Sequence, residues 1–433
     1  MTVTERIVWF SKLWKHASNV FPYFDQKTVN FDQAYADYLP RVMTADSDRE
    51  YCLILAEFIN LLGDGHTDFT FPKVLRDEVG YLPFSLIYID DSYYIYSGDE
   101  RFGQFLWAKV LSINDEPMDA LLHRAFQYIY HVGNYAYPSK LHAILPFLLK
   151  KKDNRMETSA GMFRFDLAAA PPLDEAPELT THIPFSPIPT DALTVRLYEG
   201  DMLYVRIPDL LHSDTADKIA EAIKSYRDLK GVILDLRENV GGMSAHGVRI
   251  AQLFRSGSFP GCLKHTRTMR GLDISSASQY EGMSEESIER YINDGLCDRA
   301  EVERCRKISA NALFEEYQQQ FSSEDHRALY DGPCVVLTSR NTISAAEDMV
   351  AMFLGRATIL GTPTHGSTGT PFLLPLPMGG GARICSVGYR LSDGTEFITL
   401  GIRPDKYVEN SIDDLRQGFD RVLSDALSLP GQV

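Results

Sequence analysis

Two short runs constrain this chain more than any other feature: Gly231-Val232-Ile233-Leu234-Asp235-Leu236-Arg237 and Cys334-Val335-Val336-Leu337-Thr338-Ser339. Both are apolar without alternation, so both faces of each strand must be covered, as in the middle of a parallel sheet flanked by helices. A helical pattern follows the second run, SAAEDMVAMFL over 344–354. Upstream of the first run lie a strand, MLYVRIPDL, and a helix, SDTADKIAEAIKSYRDLK. That helix sets Ile219, Ala222, Ile223 and Tyr226 on one face, with Ser213 or Asp214 as its cap. ATILGT supplies a third strand, and further strands are expected near 383–399. Such alternation predicts an α/β (α+β) chain with a largely parallel sheet.

At roughly 100–200 residues per domain, 433 residues suggest two to three domains. The sequence divides into a helical N-terminal region over 1–75, a β-rich region over 76–190 and an α/β core over 191–433. In the first, Val8, Leu13, Trp14, Leu53-Ile54-Leu55 and Leu61-Leu62 recur at helical spacing before the loop Gly63-Asp64-Gly65-His66-Thr67-Asp68. The second carries short strand-like runs, LPFSLIYIDDSYYIYSG and FLWAKVLSINDEPMDALL. It ends in a Pro-rich stretch over 168–191 that reads as a linker. The core is interrupted by an insert, 271–330, with 13 acidic and 6 basic side chains, nearly half of the net charge of −16. Its stretches SEESIERYINDGL and ISANALFEEYQQQF read as helices with a solvated face, and a lid over an active site is the sharper alternative.

Charge and composition exclude several partners. The acidic balance opposes binding to a nucleic-acid backbone, which needs clustered Lys and Arg. No run approaches the roughly 18 apolar residues of a membrane span. The six cysteines include no CxxC pair, so they read as reduced thiols, with Cys334 and Cys385 buried and inert. The first 26 residues read as an amphipathic helix and not a signal peptide, which makes the cytoplasm the expected compartment. No His, Cys and carboxylate cluster has ligand spacing, so no metal or other cofactor is expected. The N-terminal helices can pack on their own core or on a second copy in a homo-oligomer.

Three motifs carry chemistry. Ser344 follows a buried strand and opens a helix, at the carboxyl edge of the sheet where α/β folds hold ligands. The unpaired N–H groups of that first helical turn can stabilise an oxyanion, although Ser in this position also serves as a simple cap. Gly241 and Gly242, in Asp235-Leu236-Arg237-Glu238-Asn239-Val240-Gly241-Gly242, let the backbone approach a ligand closely. The alternative is an ordinary strand-to-helix turn. His66 is a candidate base for a serine nucleophile, one of eleven histidines, with His246 and His365 also in glycine-containing loops. Gly242-Met243-Ser244-Ala245-His246-Gly247 has one residue too many for a nucleophile elbow of the GxSxG kind.

In chain order, DLRENVGG, TSRNTISAAED, ILGTPTHGSTGTP and GIRPDKYVE resemble the core of the tail-specific, or C-terminal processing, serine proteases. LLGDGHTD is similar to the His motif of the tricorn-like branch of that family. The resemblance covers about 195–415 and implies a crotonase-like ββα core acting on a peptide or protein substrate. It puts the nucleophile at Ser344 and the oxyanion donors at the N–H of Ala345 and of Gly241 or Gly242. Members with a Ser-Lys dyad carry lysine where this chain has Ser367, in Thr364-His365-Gly366-Ser367-Thr368. A Ser-His mechanism with His66 as base is therefore expected, with Glu396 as the first choice of third member and Asp64 as the second. That branch places Ser before its His, where this chain has Gly65. KVLSINDEPMD resembles the PDZ-like domain that many members carry, although Trp107-Ala108-Lys109 replaces the usual Gly-Asp. The implied activity is that of a serine endopeptidase. Two rivals are a catalytically inactive relative that binds peptides or hydrophobic ligands, and a crotonase-like acyl-CoA enzyme that does not need Ser344.

Overall fold

A computed structural model describes residues 1–98, 100–169, 193–226, 228–267, 280, 283–293, 297–309 and 314–429. Most of the Pro-rich linker and part of the acidic insert lie outside these residues. The chain adopts the expected mixed α/β class. It divides into two compact units, neither of them a continuous segment.

The first unit comprises Met1–Thr70, Leu263–Tyr317 and Gly369–Tyr389. Its N-terminal helices run Val3–Val20, Phe31–Thr44 and Asp48–Asn60, and each starts at a side-chain cap: Thr2, Asn30 and Ser47. Phe10, Leu13, Tyr51, Leu55 and Phe58 are fully buried among them. Arg6 is buried too, and it donates to the Ala45 carbonyl at 2.7 Å and to Asp48 at 2.8 Å. Asp68–Thr70, Gly381–Cys385 and Pro371–Pro375 form an antiparallel sheet, with Gly381–Cys385 in the middle. The Trp9 indole N–H donates to the Pro375 carbonyl at 3.0 Å. The N-terminal helices therefore pack within their own chain.

The second unit comprises Phe71–Cys262, Gln318–Thr368 and Arg390–Val433. Two hairpins confirm the strands expected in its first part. Phe84–Ile89 turns into Ser92–Gly98 through Asp90 and Asp91, and Val110–Ile113 into Glu116–Pro117 through Asn114 and Asp115. All four turn residues have positive φ, the backbone a tight two-residue hairpin demands and Asn and Asp tolerate. The core is a six-stranded sheet in the order Lys406–Tyr407, Thr358–Gly361, Cys334–Thr338, Gly231–Asp235, Met202–Arg206, Thr194–Tyr198. All neighbours are parallel except the last pair. Every residue of Gly231–Asp235 and Cys334–Thr338 is buried, as their unbroken apolar character requires.

One expectation for the insert is corrected. Glu285–Asn293 and Arg299–Ser309 are helices, but Phe314–Phe321 is a strand hydrogen-bonded beside Phe259–Arg267. Phe314, Tyr317 and Phe321 fall at helical spacing, yet aromatic residues favour strands once a partner edge is available, and pairing overrides the periodicity. All six cysteines are free, and burial pushes the Cys334 thiol up to about 12, so it is inert. Among the described residues no helix is long and apolar enough to cross a membrane.

A buried ion cluster anchors the exit of the central strand. The Arg237 guanidinium is 3% exposed and pairs with Asp235 at 2.7 Å and with Asp420 at 2.7 Å. Tyr204 adds a 2.6 Å bond from its hydroxyl to Asp235. Removing the cation would strand two carboxylates away from water, a loss of about 3–5 kcal/mol for a broken buried pair. Urea unfolding of Arg237→Ala is expected to show that loss, and a midpoint within error of the parent would contradict it.

Candidate active site

Four sequence motifs meet in the second unit. The strand Gly231–Asp235 leads into the glycine loop, where Gly241 has φ +92° and Gly242 φ +141°. A Cβ on Gly241 would lie 2.6 Å from the Ser344 Cβ and 2.9 Å from the Ala345 nitrogen, so only glycine fits this close approach. A Cβ on Gly242 would strike the Leu210 backbone at 2.6 Å. Leu210 bridges this loop in parallel: its N–H donates to the Gly241 carbonyl at 2.8 Å, and its carbonyl accepts from Met243 at 2.9 Å. That pairing turns the Gly242 N–H away from Leu210.

The half-buried Ser344 sits where the strand Cys334–Thr338 gives way to the helix Ala345–Phe353. Its φ of +64° and ψ of −130° are strained for a residue with a side chain, a conformation that costs about 1–3 kcal/mol and persists only where the surroundings impose it. The helix it opens is apolar and deeply buried, with Ala346, Met349, Val350 and Phe353 at 0% exposure. Among the described residues the N–H groups of Gly242 and Ala345 have no hydrogen-bond acceptor. The Gly241 N–H is taken by the Asn239 Oδ1 at 2.8 Å. Of the two glycines weighed as oxyanion donors, Gly242 is thus the one with its N–H available.

Glu347 organises this region. Its side chain is fully buried and receives the Ser344 N–H at 3.2 Å, the Gly366 N–H at 2.7 Å, the Ser367 N–H at 2.9 Å and the Thr364 hydroxyl at 2.6 Å. Ser367, where the Ser-Lys members have their lysine, is also fully buried, and its carbonyl accepts the Ser344 N–H at 2.9 Å. The fourth motif closes over the third: the Ile402 N–H donates to the Thr364 hydroxyl at 2.7 Å, and the Thr399 N–H to the Gly366 carbonyl at 2.7 Å. His365 is buried beside Tyr130, Tyr135 and Tyr137, its Nδ1 3.1 Å from the Arg340 carbonyl. Burial pushes its pKa down to about 4, so it is neutral at pH 7. Ser244, in the discarded elbow-like run, donates to Asp348 at 2.7 Å.

His66 belongs to the first unit and is 5% exposed. Its backbone N–H donates to the Asp64 Oδ2 at 3.1 Å, and the same oxygen takes the Thr67 hydroxyl at 2.7 Å. Thr67 in turn accepts the Cys385 N–H at 3.0 Å, fastening this loop to its sheet. Asp64 is 1% exposed, and burial raises its carboxyl above the usual range. Glu396 lies in the second unit and forms an ion pair with Arg390. Among the described residues no group of three or more His, Cys, Asp or Glu could hold a metal ion.

Glu347 and Asn239 lay within motifs quoted from the sequence but drew no role there. A Glu three residues after a helix-opening Ser is a capping-box signal, and it could have singled out Glu347. A cavity of about 320 Å³, wholly in the second unit, shares walls with both loops: Glu238 from the glycine loop, Arg340 and Asn341 from the serine loop, and Tyr88, Tyr135 and Tyr137 opposite. Tyr135 donates to the Asn341 side chain at 2.5 Å, and Asn341 donates to Glu238 at 2.9 Å.

Burial pushes both Glu238 and Glu347 up to about 8, against the pull of their hydrogen-bond donors. A carboxyl raised in the folded state keeps a proton that the unfolded chain has released. Stability therefore falls as pH rises from about 4.5 to about 8, by up to about 1.4 kcal/mol per pH unit for each group. His142 and His365, both lowered to about 4, act in the opposite sense, but only below their unfolded value near 6.5. Between pH 6.5 and 8 the parent is expected to lose stability with rising pH, and Glu347→Gln to show a shallower slope. Equal slopes in paired denaturation series would contradict this.

Comparison with known proteins agrees with the motif order. Residues 201–408 match the family described as Peptidase family S41. A carboxy-terminal-processing protease of Bartonella bacilliformis is 26% identical over 236 residues, which are 53% of this chain and 43% of that protein. The match thus spans less than half the length of that relative. Mature CPAF is 15% identical, with 98% of this chain and 96% of its own covered at a TM-score of 0.68. A candidate peptidase from Parabacteroides merdae is 16% identical, with 100% and 97% covered at a TM-score of 0.56. At these identities the two structures speak for the fold. Over 201–408 the chain is therefore similar to peptidase family S41, and over about half its length to a carboxy-terminal-processing protease.

Proposed function

We propose that this chain is a serine endopeptidase of the Ser-His type, cutting peptide or protein substrates near their C-termini. The observation that carries the reading is the backbone of Ser344. A strained serine opens a buried helix beside a glycine loop, with the Gly242 and Ala345 N–H groups both without an acceptor among the described residues. Such a pair of fixed donors suits a tetrahedral oxyanion. The site of C-terminal cleavage is suggested by the name of the Bartonella relative.

In the reaction, the Ser344 hydroxyl attacks the peptide carbonyl and His66 takes its proton. The oxyanion rests on the Gly242 and Ala345 N–H groups. His66 then protonates the leaving amine, and an acyl ester remains on Ser344. Water, deprotonated by His66, attacks the ester, and the serine regains its proton as the carboxylic acid leaves. Ser367 in place of lysine supports the choice of His66, because the dyad base of the Ser-Lys members is missing. Glu396, ion-paired with Arg390, is the proposed third member.

A fluorophosphonate probe is expected to label Ser344 and to leave Ser344→Ala unlabelled. His66→Ala should lower peptide turnover by about 10²–10⁴-fold, the usual worth of a general base. Folded parent protein that takes up no label would contradict the peptidase reading and favour a peptide-binding relative. Labelling and turnover that survive His66→Ala would keep the nucleophile and refute the base.

A further inference from the structure

Asn239 has every polar group it owns engaged, although it is fully buried. Its N–H donates to the Leu236 carbonyl at 3.0 Å, and its carbonyl accepts the Ile343 N–H at 2.9 Å. Its side-chain Nδ2 donates to the Ile207 carbonyl at 3.0 Å, and its Oδ1 accepts the Gly241 N–H at 2.8 Å. One residue therefore ties together three segments: the end of the strand Met202–Arg206, the glycine loop and the turn before the nucleophile.

The consequence lies in what these bonds leave over. An Asx side chain that accepts from the N–H two residues later bends the chain as a backbone turn would. Here that bend consumes the Gly241 N–H, and the next donor, Gly242, is the one left without an acceptor. On the other side, the bond from Ile343 to the Asn239 carbonyl fixes the residue directly before Ser344, and so the start of the helix whose first N–H is Ala345. Both donors of the proposed oxyanion hole are thus referenced to the same residue. Their separation is set by one side-chain oxygen and one backbone oxygen of Asn239, not by packing of distant elements.

We infer that Asn239 is a positioning residue that sets the spacing of the Gly242 and Ala345 N–H groups around the oxyanion. This rests on the peptidase reading above. A merely structural Asx turn would hold the loop without bearing on the transition state. A positioning role predicts a loss confined to species that carry the oxyanion, because misplaced donors weaken its binding while the ground-state peptide is held elsewhere.

The test uses the full chain with Asn239→Ala and Asn239→Ser, the latter keeping a hydroxyl acceptor at the same place in the turn. Three quantities are compared: kcat and KM on a fluorogenic peptide, affinity for a peptide aldehyde that forms a hemiacetal with Ser344, and affinity for the matching product peptide. Asn239→Ala is expected to lower kcat by about 10²-fold, comparable to the loss of an oxyanion donor. KM and product affinity should stay within about threefold, and aldehyde affinity should fall with kcat. Asn239→Ser should recover at least about a tenfold part of the loss. If the alanine variant does not fold, the aldehyde-to-product affinity ratio of the serine variant against the parent decides. A ratio equal to that of the parent, or product affinity lost as much as aldehyde affinity, would overturn the role of Asn239. A parent chain that neither turns over peptide nor takes up fluorophosphonate would instead overturn the peptidase reading, and the positioning role with it.

Discussion

One buried carboxyl group holds the proposed catalytic region in shape. Glu347 is placed by the first turn of an apolar helix at a point no solvent reaches, where a carboxyl without partners would cost several kcal/mol. Four donors meet it instead: the backbone N–H groups of Ser344, Gly366 and Ser367 and the hydroxyl of Thr364. Because these donors come from two loops distant in sequence, Glu347 works as a rivet. It can be satisfied only if Ser344 keeps its left-handed backbone and the turn over 364–367 folds beside it. Local strain at Ser344 is thereby sustained by bonds that would all be lost together.

The glycine loop supplies the complementary constraint. Gly241 lies so close to Ser344 that a single added carbon would overlap it, and Leu210 holds the same loop from the other side. Arg237, just upstream, is locked between Asp235 and Asp420. The rigid exit of one core strand and the strained exit of its neighbour therefore face each other across a gap set by their backbones. Electrostatic stabilisation of an oxyanion needs donors that do not reorganise during reaction, and the proposed oxyanion hole draws on this arrangement.

Much of this was legible in the sequence, and the reasons are physical. Unbroken apolar runs could only be covered central strands, so Gly231–Asp235 and Cys334–Thr338 were read directly. The runs over 82–98 and 105–122 were read as strands, and the structure folds each into a hairpin, at Asp90-Asp91 and at Asn114-Asp115. Motif order brought the glycine loop, Ser344, the 364–368 turn and the 401–405 turn into one region. What stayed hidden depends on partners that a linear reading does not reveal. Phe314–Phe321 has helical spacing but becomes a strand because an edge is there to pair with. The choice of Gly242 over Gly241 follows from one side-chain bond by Asn239, and the weight carried by Glu347 follows from donors 17 to 20 residues further along. The grouping of 1–70 with 369–389 rests on the pairing of Asp68–Thr70 with Gly381–Cys385, which separates the compact units from chain order.

Amide hydrogen exchange in Glu347→Ala against the parent tests the central claim most directly. If one carboxyl ties Ser344 to the facing turn, the amides of Ser344, Gly366 and Ser367 lose protection together, while those of the strand Gly231–Asp235 stay protected. Unchanged protection at those three amides in the folded variant would contradict it.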